Sequence, residues 1–296
     1  MQQEFFDTAS NTGFKVQAPV NVASVPQRSP FRYPGGKTWF VPAFRRWMQK
    51  QSKSPEVLVE PFAGGATIAL TAICEGWTDH AVLVELDPEV AAVWQVVSSG
   101  DAPLLAEKIL HFELSYEAVK EHLNQDVTST LELAFRTVLR NRTFHGGILA
   151  PGSGLIKSGE AGKGIASRWY PETLAKRFAA LHVVRHRLTV LCDDALVCTQ
   201  SYQRDPHCVF FIDPPYTAGG KNAGKRLYSF SDLDHSELFR FCAEITGDFV
   251  MTYDNATEVI ALADKQNFQT RLIPMKNTHH AAMTELVIGR DLDWLQ

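Results

Sequence analysis

The chain has no apolar stretch long enough to cross a membrane, and its first ten residues lack the basic start and apolar core of a signal peptide. Its five cysteines include no Cys-x-x-Cys pair and no spacing typical of a metal site. Most of these cysteines stand among apolar residues, which predicts buried thiols in a reducing cytoplasm. We therefore expect a cytoplasmic protein with no membrane anchor and no metal centre.

A Gly-x-Gly-x-x-Gly fingerprint is also missing, and its absence disfavours NAD as a cofactor. The remaining composition is ordinary for a folded protein, because 45% of the 296 residues are hydrophobic and 21% are charged. This length is enough for one large domain, or for one domain that carries a sizeable insertion.

Apolar runs alternate with helical patterns at both ends of the chain, and a glycine turn between the first two runs is typical of a βαβ unit. The last two runs suit a hairpin at the edge of a mostly parallel sheet. The predicted fold class is therefore α/β, with a Rossmann-like sheet that ends in an antiparallel hairpin strand. The expected strands are residues 57–60, 81–85, 188–192, 208–213, 249–252, 269–273 and 285–288.

The alternation stops for about ninety residues in the middle of the chain, which is too long for a simple connection. Residues 101–188 are mainly helical in pattern, with a loop at 146–164 that holds seven glycines in nineteen residues and that we expect to be mobile. Residues 1–28 are polar and have little periodicity. We predict a flexible arm (1–28), a catalytic domain built from 29–100 and 189–296, and an inserted helical lobe (101–188).

Residues 212–216, Ile-Asp-Pro-Pro-Tyr, follow the apolar run 209–211. Two successive prolines cannot continue a strand, so the chain must leave the sheet here, at the edge where open α/β sheets bind ligands. The Asp213 carboxylate and the Pro214 carbonyl are acceptors that suit an exocyclic amino group, and the Tyr216 ring suits the face of a planar base. The pattern favours chemistry on a nucleobase amine over an ordinary proline turn.

A nucleoside cofactor is indicated by the glycine turn at 61–66 and by Glu85, an acid that ends the second strand and could bind both ribose hydroxyls. Without a pyrophosphate to bind, S-adenosylmethionine is the favoured adenosine cofactor. Lys37 could bind its carboxylate, although a solvated lysine at a helix start is an equal alternative. Asp194 could accept from its adenine amine, and the neighbouring Asp193 could do so equally well.

The formal net charge of −4 hides an asymmetry along the chain. Residues 136–187 carry ten basic side chains against two acidic ones, a net charge of +8, so the remainder carries −12. A concentrated basic region is expected of a protein that binds phosphates, and a solvated helix face is the alternative.

At the level of motifs, the chain resembles the Dam-like DNA adenine-N6 methyltransferases, the S-adenosylmethionine-dependent enzymes with an Asp-Pro-Pro-Tyr motif. Residues 32–37 resemble the N-terminal motif of that family, and residues 60–65 its methionine-binding loop. Residues 85–87 fall at its ribose-binding acid, and residues 213–216 are its catalytic motif. Residues 228–238 resemble the segment packed behind the target pocket. The resemblance covers about residues 30 to 290.

This resemblance implies that an adenine leaves the DNA duplex, that Tyr216 stacks on it, and that Asp213 and Pro214 accept its amine hydrogens. The methyl group would then pass directly from the cofactor, without a covalent enzyme intermediate. The catalytic residues expected on this basis are Asp213, Pro214 and Tyr216. The expected cofactor-binding residues are Tyr33, Lys37, Pro61, Phe62, Gly64, Glu85, Asp194 and Asp213.

The helical lobe is then expected to recognise double-stranded DNA. Arg142 could read a guanine edge or hold a phosphate, and Phe144 could wedge into the duplex or belong to the core. The glycine loop departs from the Dam pattern, so a GATC target is not carried over. The expected DNA-binding residues are Arg140, Asn141, Arg142, Lys157, Arg168, Lys221, Lys225 and Arg226.

Two other functions fit parts of the same pattern. Cytosine-N4 methylation makes the same demands on Asp213 and Tyr216, and a non-catalytic DNA-recognition subunit could keep the fold. The intact motif favours an active adenine-specific enzyme. Its predicted partner is double-stranded DNA, and a cognate restriction enzyme is a further candidate.

Overall fold

A computed structural model describes residues 20–33, 35–159, 162–216, 230, 232–276 and 282–295. Residues 1–19 of the predicted arm lie outside this set, as do Tyr228 and three predicted DNA contacts, Lys221, Lys225 and Arg226.

The strands of the described residues form a single sheet. They are β1 (Val57–Glu60), β2 (His80–Val84), β3 (Leu188–Leu191), β4 (Cys208–Ile212), β5 (Asp248–Asp254), β6 (Gln269–Lys276) and β7 (Ala282–Gly289). Among these residues the sheet has seven strands in the order β3-β2-β1-β4-β5-β7-β6. The first five strands are parallel, whereas β7 runs antiparallel to both β5 and β6. The predicted α/β class and the terminal hairpin are therefore confirmed.

Helices connect the strands. They are α1 (Val41–Lys50), α2 (Thr67–Glu75), α3 (Pro88–Ser99), α4 (Ala102–His111), α5 (Tyr116–Leu123), α6 (Thr130–Thr143), α7 (Pro171–Val184), α8 (Ala195–Cys198), α9 (Gln200–Gln203), α10 (His235–Ala243) and α11 (Thr257–Lys265). Helices α8 and α9 are single turns between β3 and β4 that the sequence pattern did not indicate.

Local sequence explains where several helices begin. The Ser129 side chain accepts a hydrogen bond from Glu132 N (3.2 Å), and so caps α6. The Asp234 carboxylate accepts from Glu237 N (3.0 Å), and so caps α10.

The order of the strands reverses beside β1. From β1 the chain moves outward to β2 and β3, and it then returns to place β4 on the other side of β1. The loops that follow β1 and β4 therefore leave in opposite directions and open a crevice at their carboxyl ends. The glycine turn and the Asp-Pro-Pro-Tyr motif both lie at this crevice.

The helices within residues 101–188 pack on α3 of the α/β part. Buried side chains from both parts, such as Trp94 on α3, Leu105 on α4 and Phe178 on α7, belong to one hydrophobic cluster that also contains Leu58 of β1. The arm is packed as well, because Val25 is buried in the same cluster. Residues 20–28 of the predicted arm therefore lie against the domain.

The expectation that most cysteines are buried is wrong. Cys208 and Cys242 are buried in the sheet and in α10, but Cys198 is partly exposed and Cys74 and Cys192 are exposed. Cys192 is exposed because it follows the end of β3, where the chain leaves the sheet.

Two searches of the described residues concern membranes and metals. No helix there is long and apolar enough to span a bilayer. The same residues contain no group of three or more His, Cys, Asp or Glu side chains that could hold a metal ion.

Candidate active site

A cleft opens at the carboxyl ends of β1, β2, β3 and β4, with about 980 Å³ of empty volume that is open to solvent. The lining comes from the turn before α1 and from the loops after the four strands. The predicted site residues among the lining are Tyr33, Lys37, Pro61, Phe62, Gly64, Glu85, Asp194 and Asp213.

The glycine turn holds the floor of the cleft in a fixed conformation. Gly64 has a φ of 45°, and a Cβ built on it would lie 2.6 Å from Cε1 of Tyr33. Its N–H donates to Glu85 Oε2 (2.8 Å), and its carbonyl accepts from Trp94 Nε1 (2.9 Å). Because backbone and ring are both constrained, only glycine fits at this position.

Glu85 lies at the end of β2, as the sequence pattern predicted. Its carboxylate accepts hydrogen bonds from Gly64 N and from Asp87 N (3.0 Å). Burial raises the pKa of Glu85 to about 7, although these backbone hydrogen bonds act in the opposite direction. The acid is therefore fixed in place beside the cleft.

Asp193 and Asp194 follow β3 and both line the cleft. Asp194 caps α8, because its Oδ1 accepts from Leu196 N (2.9 Å) and Val197 N (3.0 Å). Its position is therefore better defined than that of a side chain in an open loop.

Asp213 stands just beyond β4 with three donors in reach, of which the Tyr216 hydroxyl can give its single proton either to Asp213 or to Glu285. Its Oδ1 accepts from Thr252 Oγ1 (2.8 Å) and from the Tyr216 hydroxyl (2.9 Å). Its Oδ2 lies 2.8 Å from the Lys37 ammonium. A carboxylate has about four acceptor positions, so these contacts leave about one for a further donor.

Lys37 lines the cleft and has contacts within the protein. Its side chain is only 4% exposed, and its Nζ donates to the Gly35 carbonyl (2.7 Å) as well as pairing with Asp213. The same Nζ lies 3.7 Å from Glu285 Oε2 and 5.4 Å from the centre of the Tyr216 ring. The structure thus places this ammonium beside Asp213 of the motif and Glu285 of β7, and its contact with the cofactor carboxylate stays a prediction.

Tyr216 is fixed at both its ring and its hydroxyl. The ring stacks on Tyr253, with centroids 5.6 Å apart and planes inclined by 23°. The hydroxyl lies within hydrogen-bond distance of both Asp213 Oδ1 and Glu285 Oε2 (3.1 Å). Burial raises the pKa of Tyr216 well above 10, so the hydroxyl keeps its proton at neutral pH.

Sequence reasoning missed Thr252 and Glu285, which complete this arrangement. Both are polar side chains inside otherwise apolar strands, β5 and β7. It also missed Glu60, whose Oε2 accepts from Ala69 N (2.9 Å) in the first turn of α2. Burial raises the pKa of Glu60 to about 8. A charged residue within a buried strand is a signal that could have identified the two glutamates.

The predicted DNA contact by Asn141 is wrong, because its carboxamide is buried and committed within the protein. The side-chain oxygen accepts from Arg32 N (2.9 Å), and the amide nitrogen donates to the carbonyls of Arg32 (3.0 Å) and Gly147 (2.8 Å). Asn141 therefore ties α6 to the segment before the cleft.

Arg140 and Arg142 also have internal partners. Arg140 pairs with Glu89 on α3 and donates to the carbonyl of Leu149 (2.6 Å). Arg142 is only 5% exposed and donates to the carbonyl of Pro30. The burial of Arg142 corrects the prediction that it contacts DNA directly, whereas Arg140 is partly exposed and its DNA contact stays a prediction.

Arg142 belongs to a group of four arginines that we call the arginine cluster: Arg32, Arg142, Arg168 and Arg177. Burial, followed by the positive charges of the other three, lowers the pKa of Arg142 to about 9. The other three arginines are partly exposed, and the predicted DNA contact Lys157, eleven residues before Arg168, is exposed. The cluster therefore concentrates positive charge beside the segment that leads into the cleft.

The strand order and the cleft are those of a class I S-adenosylmethionine-dependent methyltransferase. The profile of the D12 class N6 adenine-specific DNA methyltransferases matches residues 33–278, and the chain belongs to this family. The resemblance, the enzyme class and the expected cofactor, S-adenosylmethionine, are thereby confirmed. The family is adenine-specific, so cytosine-N4 methylation is disfavoured.

No curated protein matches the chain. Solved structures that resemble it include the rRNA methyltransferase AviRa from Streptomyces viridochromogenes, with 12% identity, a TM-score of 0.42, and coverage of 93% of this chain and 95% of that one. A precorrin-6Y C5,15-methyltransferase from Geobacter metallireducens has 8% identity, a TM-score of 0.34, and coverage of 84% and 87%. A Listeria monocytogenes protein assigned to the class I methyltransferases has 13% identity and a TM-score of 0.38. This chain aligns over 86% of its own length but only 60% of that protein.

Proposed function

We propose that the protein transfers a methyl group from S-adenosylmethionine to N6 of an adenine that has been flipped out of double-stranded DNA. The observation that carries the proposal is the position of Asp213 at the cleft, where Thr252, Tyr216 and Lys37 fix its carboxylate. A carboxylate held in this way can accept a hydrogen bond from an exocyclic amine without first having to reorganise.

The donors and acceptors of the cleft suit the cofactor. We assign the Glu85 carboxylate to the ribose hydroxyls and Asp194 or Asp193 to the adenine amine, because all three residues line the cleft. Tyr33 and the turn that contains Pro61, Phe62 and Gly64 supply the surface for the remaining part. S-Adenosylmethionine, when bound, supplies a methyl group on a positively charged sulfur.

The catalytic motif would act on the target amine through position and charge. Asp213 and the Pro214 carbonyl accept the two amine hydrogens, which directs the nitrogen lone pair away from them and towards the methyl donor. The negative charge of Asp213 also stabilises the positive charge that develops on the nitrogen. The Tyr216 ring, supported from one side by Tyr253, is the stacking surface for the base.

The arginine cluster supports DNA as the polymer that carries the base. Arg32 directly precedes Tyr33, which lines the cleft, so a phosphate backbone at the cluster would lie next to the entrance. We propose that Arg168, Arg32 and the exposed Lys157 bind backbone phosphates. Arg142, which is buried, contributes its positive charge without touching the DNA. Phosphate contacts of this kind position a duplex without reading its sequence.

The proposal is tested with purified protein, S-adenosylmethionine and unmodified genomic DNA, followed by sequencing for N6-methyladenine and N4-methylcytosine. We expect methyladenine in a short motif and a loss of at least about 10²-fold in rate for Asp213→Ala. Asp248→Asn is the matched control. The Asp248 carboxylate accepts hydrogen bonds from Trp47 and Gln51 at the amino end of β5, whereas the cleft lies at the carboxyl ends of the parallel strands. Methylcytosine, or unchanged activity in Asp213→Ala, would contradict the proposal.

A cognate restriction enzyme stays a prediction. It is tested by asking whether DNA methylated by the protein resists cleavage in an extract of the host cell, with DNA treated by the Asp213→Ala variant as the control.

A further inference from the structure

Glu285 shares its two closest polar partners with the catalytic carboxylate. On β7 it is 8% exposed, and its Oε2 lies 3.1 Å from the Tyr216 hydroxyl and 3.7 Å from the Lys37 ammonium. Asp213 contacts the same hydroxyl and the same ammonium. The site therefore holds two carboxylates bridged by one tyrosine and one lysine.

Resting on the proposed function, we propose that Glu285 is the final acceptor of the proton lost by the methylated amine, and that this proton arrives through Asp213 and the Tyr216 hydroxyl. Glu285 is then a positioning and proton-accepting residue of the methyl-transfer site that acts through Tyr216.

The transfer balances without any further reactant. After methylation the amine nitrogen carries a positive charge; one of its N–H bonds breaks, and an O–H bond forms on Asp213. This proton passes to the oxygen of Tyr216 as the hydroxyl's own proton passes to Glu285. Asp213 and Tyr216 return to their starting forms, no electrons are gained or lost, and Glu285 later gives its proton to solvent.

The geometry suits such a relay because the hydroxyl is within hydrogen-bond distance of both carboxylates. A tyrosine hydroxyl is both a donor and an acceptor, so it can pass a proton in one direction by exchanging its own. Its pKa, raised by burial, keeps it protonated at rest, which is the form that the relay requires.

The surroundings of Glu285 favour a proton there. Burial raises its pKa and so does the charge of Asp213, whereas Lys37 and the hydrogen bond from Tyr216 lower it. Across the sheet, Glu285 is opposite Asp254 on β5 and Ile273 on β6. Glu60 also interacts with Asp213 and Lys37, but burial raises its pKa to about 8, so it keeps its proton at neutral pH.

The first test needs neither cofactor nor DNA. In protein labelled with ¹³C at its glutamate carboxyls, the Glu285 signal is assigned by its absence in Glu285→Gln and then followed against pH. We expect it to titrate above the ordinary range of glutamate. In Tyr216→Phe we expect the titration to move higher, because a hydrogen bond to the charged form is lost. An unchanged titration in Tyr216→Phe would overturn the relay.

The second test measures single-turnover methylation of unmodified genomic DNA. We expect Glu285→Gln and Tyr216→Phe each to slow it on the order of 10²-fold, with cofactor affinity unchanged. The double variant should be no slower than the slower single variant, since both interrupt one path. The relay would be contradicted if the rate reductions of the two single variants multiplied in the double variant, or if Glu285→Gln methylated at the wild-type rate.

Two further variants keep the result interpretable. Glu285→Asp retains a carboxylate, so it should be faster than Glu285→Gln, and the reverse order would contradict the proposal. Asp248→Asn is the control for removing a partly buried carboxylate elsewhere, and thermal melting shows that each variant is folded. Absence of methyladenine with the wild-type protein would instead refute the proposed function, independently of Glu285.

Discussion

Replacing Gly64 by alanine should perturb the cofactor cleft through a single methyl group. Gly64 has a left-handed backbone (φ 45°), and the new Cβ would lie 2.6 Å from Cε1 and 2.9 Å from Cζ of the Tyr33 ring. The backbone cannot easily move away, because Glu85 and Trp94 bind its N–H and carbonyl. The Tyr33 ring must therefore shift from its place beside the cleft.

Gly76 provides a control that separates strain from collision. It also has a left-handed backbone (φ 72°), at the end of α2, but a Cβ there would meet nothing within 4 Å. Gly76→Ala should therefore cost only the left-handed strain, about 1 kcal/mol. Gly64→Ala adds an overpacking cost of about 1–3 kcal/mol, for a total of about 2–4 kcal/mol.

The assay is chemical denaturation and thermal melting of the two variants beside the wild type. At about 2 °C per kcal/mol for a chain of this size, Gly76→Ala should melt about 2 °C lower and Gly64→Ala about 4–8 °C lower. Calorimetric titration with S-adenosylmethionine should show weaker binding for Gly64→Ala alone. Equal stability and equal affinity in the two variants would refute the argument from the Tyr33 collision.

Three further predictions address buried charge, DNA binding and the anchoring of the N-terminal segment. Burial raises the pKa of Glu60 to about 8, so between about pH 5 and 8 the folded protein keeps a proton that the unfolded chain has lost, and its stability falls as the pH rises. Glu60→Gln should lose a few kcal/mol less unfolding free energy than the wild type between pH 5 and pH 8, as measured by denaturation at both pH values. An equal loss in the variant and the wild type would contradict the raised pKa of Glu60. Arg168→Gln should weaken DNA binding and reduce the slope of the logarithm of DNA affinity against the logarithm of salt concentration by about 1. The control variant Lys50→Gln, at an exposed position, should leave this slope unchanged. Equal slopes in the two variants would exclude Arg168 from phosphate binding. Asn141→Ala should destabilise the fold by about 2–4 kcal/mol, because it leaves buried backbone groups of Arg32 and Gly147 without partners, and its salt slope should match the wild type.

The parts of the site that could be predicted from sequence are those where the relevant residues are neighbours in the chain. The apolar run before Asp213 and the two prolines after it together predict a strand that ends at a ligand-binding edge, and β4 ends at Ile212, one residue before the predicted end. Glu85 follows β2 by the same logic. In both cases a local pattern determines the position of the side chain.

The parts that sequence reasoning missed depend on contacts between distant residues. Asn141 and Arg142 bind the backbone of residues 30–32, more than 100 positions away, so their charge and polarity alone suggested a surface role. Arg187 was counted as part of a basic surface, yet its guanidinium binds backbone carbonyls at the end of α2 and before β2. Composition counts charges, but it cannot show which of them are already paired within the fold.

The distribution of charge in the folded protein accounts for a DNA-methylating enzyme with a net charge of −4. The aspartates Asp87, Asp193 and Asp194 line the cleft, which favours a cationic cofactor and disfavours phosphate. The arginine cluster lies beside the segment that leads into the cleft, and the two regions adjoin at Arg32 and Tyr33. In the proposed reaction the phosphate backbone would stay at the arginines, and a neutral base could enter the acidic cleft without electrostatic penalty. The same separation of charge would therefore favour base flipping over entry of the whole strand.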